Sequence, residues 1–396
     1  MRILSQSKNS GLALPLTLIA ILLLLIMGTG LMELGVKNRI FAIRSTSGIA
    51  ARCAADAGLT QALFEMNNKL KVKPWNGGVL PQAIDEILPN CNSTYSYQIT
   101  GDIISGYRVE STGICGQSEQ TIICNLELQG PFEAAIFADE KIELKNSALV
   151  DWYNNAPGDE SMQIATNSIL PGTVILKNSS YINGDVLVGM HGNPDTVISD
   201  FGATITGEID TLTQVRPITS VIVPDSLAPL PSGETLKNDT TISSSAKYDS
   251  INLKSNKTIT IDGNVSLYIV GDVILNNSAE IVIEADSSLV LYLGGDLEAK
   301  NSSSFNNETQ NPEDFQIYAL DSCESMLLKN SSDFYGTIYA PNAEITINNS
   351  ADMYGSVIAE NFIQKNSGDF NYDASLRDVD SDDEMVRFVI TNWTEQ

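Results

Sequence analysis

The chain has 396 residues, enough for two or three domains and a sizeable buried core. Its 23 Lys and Arg stand against 49 Asp and Glu, a net charge of -26, and such a surface repels phosphate backbones, which excludes nucleic acid as a partner. A hydrophobic share of 43% with 7% aromatic residues excludes general disorder and predicts an aliphatic core, while a single histidine, His191, leaves no histidine pair for zinc and argues against a Ser-His-Asp enzyme.

From Leu12 to Met32 run 21 residues without a charge, including Leu22-Leu23-Leu24-Leu25-Ile26. As a helix this stretch spans roughly 30 Å, one bilayer core. The helical pattern continues past it, with Val36, Ile40, Ile43, Ala50, Ala54 and Ala57 at three- and four-residue steps and some gaps. One helix from about 12 to 70 is expected, ended by Pro74 and Gly77-Gly78.

Three short strands follow, Tyr95 to Thr100, Tyr107 to Ser111 and Thr121 to Leu128, separated by Gly101, Gly106 and the turn from Gly113 to Gln117. They predict a small antiparallel meander within 73–131. Cys91, Cys115 and Cys124 fall here, and in an exported protein one disulfide among the three is expected, with all three pairings open.

Beyond residue 132 the chain repeats. Lys/Asn-Asn-Ser recurs at 145–147, 177–179, 276–278, 300–302, 329–331, 348–350 and 365–367. The last three begin longer units spaced by 19 and then 17 residues, in which Tyr335-Gly336-Thr337-Ile338-Tyr339-Ala340 aligns with Tyr354-Gly355-Ser356-Val357-Ile358-Ala359. Such a period, built from β-branched runs punctuated by Asn, Gly and Ser, predicts a β-solenoid over 132–376, read as a right-handed parallel β-helix. Ile259, Ile261, Val265, Leu267 and Ile269 would face inward. Asn at equivalent corners would tolerate left-handed geometry and stack. Pro224, Pro229 and Pro231 exclude a central strand from 217–233, which reads as a loop thrown out of the solenoid.

The last segment, 377–396, reads as an acidic turn and a strand, Val386 to Trp393, that caps the open end. Asp378, Asp380 and Asp382 have the alternating spacing of a calcium loop's opening, but Asp383 and Val389 stand where such a loop needs Gly and Glu, so a solvated turn with at most weak calcium binding is expected. Asp185, Asp272 and Asp296, each after a glycine, would form a carboxylate row if their rungs stack, yet read better as hydrogen-bonded corner residues. His191 reads as a turn residue.

The N-terminal region resembles type IV pilin-like proteins, the PilX-type minor pilins in particular. The resemblance lies in a short basic leader (Arg2, Lys8), then Ser10-Gly11, the apolar stem, and Ala50-Ala51-Arg52-Cys53-Ala54-Ala55-Asp56-Ala57-Gly58-Leu59 with Ala62-Leu63. Phe370-Asn371-Tyr372-Asp373-Ala374-Ser375-Leu376 resembles the closing segment of β-helical domains behind such stems, with Asn371 in place of a histidine. The resemblance implies a leader at 1–11, a prepilin peptidase that cuts between Gly11 and Leu12, and a stem at 12–72 that rests in the inner membrane before assembly at the cell surface. In the family a glutamate five residues after the cut helps a subunit dock on the previous one; here that position is Leu16, which implies a place at or near a filament tip.

A mainly β, non-enzymatic minor pilin-like subunit is therefore expected, its stem among other pilin-like stems and its solenoid outside, with no cofactor beyond that weak calcium. The rival roles are a membrane-anchored adhesin for surface glycans and a polysaccharide-acting enzyme using Asp272 or Asp296.

Overall fold

The computed structural model describes residues 13–145, 147–154, 161–329, 332–348, 352–365 and 368–395. It shows a long N-terminal helix followed by mostly β structure, part antiparallel and part parallel. The chain divides into two compact units, Met1–Leu128 with Arg387–Gln396, and Gln129–Val386.

The first unit begins with helix α1 (Ala13–Leu70). Four strands follow: β1 (Gln82–Ile87), β2 (Ser93–Asp102), β3 (Gly106–Cys115) and β4 (Ser118–Gln129). They pair antiparallel in chain order. The last three contain the strands read from sequence; β1 was not legible there, since Gln82–Ile87 is largely exposed and lacks a buried alternation. The fifth strand of this sheet is Arg387–Glu395, lying beside β4. The expected capping strand is thus corrected. Phe388 draws it here, packing at 5.5 Å from Trp75 and 5.3 Å from Tyr107 while its backbone exchanges two hydrogen bonds with the Asn67 amide.

The second unit consists of parallel ladders. One carries Ile251–Lys254, Val273–Asn276, Leu297–Lys300 and Ser325–Lys329, then 344–348, 361–365 and 141–144, and ends on Val174–Leu176 and Ile198–Asp200. A second runs beside it from Ala246–Tyr248 to Ile209–Thr211. Further strands pair parallel in the same way. Alternate residues of each strand point inward, as Ile259, Ile261, Val265, Leu267 and Ile269 do, and build one aliphatic core with an aromatic stack of Phe305, Phe315 and Phe334.

The order of the turns departs from the order of the chain. Val357 pairs with Ile136, so the first turn of the unit sits in mid-stack against the last. Gly130 and Val379 also meet; a Cβ on the glycine would fall 2.5 Å from Val379. After Thr211 the chain must return to the far end of the ladders, and the proline-rich segment makes that passage. Arg216 bonds Gln163 and Asn167, Thr219 exchanges two bonds with the Tyr339 hydroxyl, and Ala228 accepts from Lys247. Val221 and Leu227 are buried. The segment has no central strand, as expected, but it lies along the ladder as a strap and is not thrown out.

Candidate interaction surfaces

Helix α1 has two unlike halves. From Leu14 to Ile43 its large apolar side chains are exposed, Leu16 at 67%. It is the one described helix long and apolar enough to cross a membrane, which makes it a candidate anchor by length and composition. Gly11 and Leu12 lie outside the described residues. The second half buries Ala51, Ala54, Ala55, Leu59, Ala62, Met66 and Leu70, one face at three- and four-residue steps.

The alanine-rich signature is where this face meets the sheet. A Cβ at Gly113 would lie 2.0 Å from the Ala51 carbonyl oxygen, and one at Gly58 would lie 2.4 Å from the Ser111 hydroxyl. That hydroxyl donates to the Ala55 carbonyl at 2.7 Å. Small residues on both sides let the two backbones approach. At the exposed edge Arg52 pairs with Glu395 at 3.2 Å.

The thiols of Cys91, Cys115 and Cys124 are unpaired in this structure. Register removes Cys124 from any pairing. It opposes Val109, six residues along β3 from Cys115, a separation of about 20 Å against the 7 Å limit of a disulfide. Burial pushes its thiol up to about 11. Cys91 precedes Ser93, which opposes Cys115, and that pair alone shares one end of the sheet.

The acidic turn is built on itself. Asp380 accepts from Ser381 and from the Asp382 backbone N–H, while Asp383 accepts from the Asp380 N–H. The Asp378 N–H donates to the Ser375 carbonyl. Among the described residues no three His, Cys, Asp or Glu side chains stand close enough to hold a metal ion, the turn of Asp378, Asp380 and Asp382 included. The carboxylate row is incomplete too. Asp272 and Asp296 are neighbours in one ladder, whereas Asp185 starts a strand of another. Each accepts backbone N–H groups of the next turn. His191 is exposed in a turn at φ 66°.

At two of the repeated corners both Asn and Ser are left-handed, with φ of 55° at Asn277, 60° at Ser278, 54° at Asn301 and 60° at Ser302, whereas at 177–179 only Ser179 is, at 62°. The Asn301 amide donates to the Asn276 side chain at 2.6 Å, which ties that corner to the turn before it.

The residue before each corner gains a meaning only in the register. Lys254 pairs with Asn276, Lys300 with Lys329, and Asn348 with Lys365. The flanking pairs Leu275 with Ala299, Leu328 with Ile347, Gln364 with Leu144, and Leu144 with Leu176 join these, and continue them to Lys145 and Lys177. One outward column therefore holds six lysines and two asparagines, rising about 4.8 Å per position. The sequence carried the signal, a Lys or Asn opening every tripeptide, but not the alignment.

Beneath one end of the column Glu143 is buried and accepts from Lys141, Lys145 and Lys177 at 3.0 to 3.1 Å. Burial raises its carboxyl, yet the three ammonium groups outweigh that and hold it down at about 2. Lys300 pairs with Glu298. Among the described residues Lys254, Lys329 and Lys365 make no ion pair.

A family described as "Domain of unknown function (DUF7305)" matches residues 202–379. No curated protein matches the chain. Among solved structures, the competence-associated pilin ComZ from Thermus thermophilus is similar over 89% of this chain and 98% of its own, at 11% identity and a TM-score of 0.27. A likeness at that score carries no argument about fold or role.

Proposed function

We propose that the chain is a non-enzymatic minor pilin-like subunit, whose stem packs among other pilin-like stems and whose parallel ladders form a β-solenoid, a right-handed parallel β-helix, displayed outside. One observation carries this: α1 leaves a bilayer-long apolar half bare while its other half is buried on a sheet through a small-residue face. A simple anchor has no need of a rigid continuation. The bare half can pass from lipid to neighbouring stems, since either surrounding covers the same apolar area.

On this proposal a prepilin peptidase cuts between Gly11 and Leu12. Leu16 in place of glutamate puts the subunit at or near the tip, where no neighbour above offers an N-terminal amine to neutralise. Mass spectrometry of the mature chain should begin at Leu12, and the protein should copurify with sheared filaments. A chain that keeps Met1, or is cut near residue 30, sinks the pilin reading. The column of lysines favours a second role, that of a membrane-anchored adhesin for surface glycans, in which case the protein stays with the membrane when filaments are sheared.

A further inference from the structure

We propose that the column of Lys254, Asn276, Lys300, Lys329, Asn348, Lys365, Lys145 and Lys177 is a docking rail for a linear, carboxylate-bearing polysaccharide, a polyuronate. The proposal deepens the adhesin role by naming a ligand class and a site, and it does not need the filament. Eight positions at one strand spacing make a rail of roughly 34 Å. Inward neighbours such as Leu253, Leu275, Ala299, Leu328, Leu144 and Leu176 are buried, so alternation turns the lysines outward. With Lys141 the rail region holds seven lysines against the two carboxylates that pair with them, Glu143 and Glu298. On a chain of net charge -26 this is a local concentration of positive charge.

The class of anion follows from what lies across the corner. Asp333, Asp352 and Asp369 stand four residues beyond Lys329, Asn348 and Lys365 and form a parallel acidic rail, each backbone N–H of the next turn donating to the carboxylate before it at 2.9 to 3.1 Å. Duplex DNA, with one charge per ~1.7 Å, would bring phosphates over this second rail and be repelled. A uronate chain instead offers carboxylates on some positions and hydroxyls on others. Its carboxylates suit the lysines, and its hydroxyls can donate to the aspartates and bond the amides of Asn276 and Asn348. One pyranose unit also spans much the same length as one turn of the stack, so the polymer and the rail can stay in step.

The test uses the full chain in non-ionic detergent at low salt, with immobilised polygalacturonate, its fully methyl-esterified form and duplex DNA as probes. Binding is expected to polygalacturonate alone and to weaken with salt. The triple variant Lys254→Gln, Lys329→Gln, Lys365→Gln should lose about tenfold in affinity, and each single variant about twofold, from exposed charges worth a fraction of a kcal/mol each. A control triple off the rail, Lys71→Gln, Lys237→Gln, Lys257→Gln, should bind as the unaltered chain does. No binding to polygalacturonate, undiminished binding by the rail variants, an equal loss in the control, or DNA bound as tightly would each overturn the proposal. A protein that stays with the membrane yet ignores polygalacturonate would sink the rail and leave the adhesin role standing.

Discussion

The helix-and-sheet unit and the parallel-ladder unit are held by different means. In the first, α1 and β3 come together because Gly58, Gly113, Ala51, Ala54 and Ala55 leave no side chain between backbones. In the second, each strand buries alternate aliphatic residues against similar strands above and below it. Close approach at a few points has no slack, whereas repetition spreads each loss over neighbours. The two units should therefore respond differently to changes of similar size.

The largest effect is expected from Phe315→Ala, at the centre of the stack with Phe305 and Phe334 at 5.5 and 5.2 Å. A loss of about 4 kcal/mol should appear in the unfolding of the second unit. Hydrogen exchange should show it greatest on the turns next to Phe315, with α1 unaffected. Gly113→Leu should cost about 3 kcal/mol in the first unit, because the added atoms meet the Ala51 carbonyl and the Ala55 nitrogen, which cannot give way. Its mark is faster exchange along 51–70 with the ladders unchanged. Uniform loss across both units in either variant would break the contrast.

Glu143 offers a finer cut. Glu143→Gln leaves three ammonium groups around a neutral amide, at a cost of about 2 kcal/mol at neutral pH once the partial exposure of the lysines is allowed for. The carboxyl is held at about 2 against an ordinary 4.5, so its folded pKa is depressed. The stability it contributes is present above about 4.5 and is lost as pH falls towards 2. Urea unfolding of the two chains should therefore differ at pH 7 and converge near pH 2. A gap of constant size would mean that shape, and not charge, made the difference.

What could be read from the sequence was local. The uncharged run and the alanine spacing specify α1, and the Asn-Ser corners specify stacking strands, because helix faces and turns are set by near neighbours. Pairings over long separations were not legible. Nothing near Val357 says that its partner is Ile136, and nothing in 387–395 says whether the strand caps a stack or joins a sheet, since either use wants the same alternation. The prolines excluded a strand from 217–233 but could not reveal the length of ladder that the segment had to retrace. Cysteine spacing could not choose among the three pairings for the same reason, as the separation of Cys124 from Cys115 comes from the pairing of β3 with β4. The lysine rail sat between these cases: its repeat was visible, its geometry was not.

The smallest expected effect bears on the corners themselves. Asn301 holds φ at 54° and donates its amide to Asn276 at 2.6 Å, so it supplies both a tolerated left-handed backbone and a link to the turn below. Asn301→Ala removes both and should cost about 1 kcal/mol. Asn301→Gly keeps the backbone geometry without strain and removes only the amide, so a loss of about half that is expected. Equal losses in the two variants would assign the corner to amide stacking. A glycine variant as stable as the unaltered chain would assign it to backbone geometry, and the asparagines of the repeat would then serve as turn formers that happen to lie one above another.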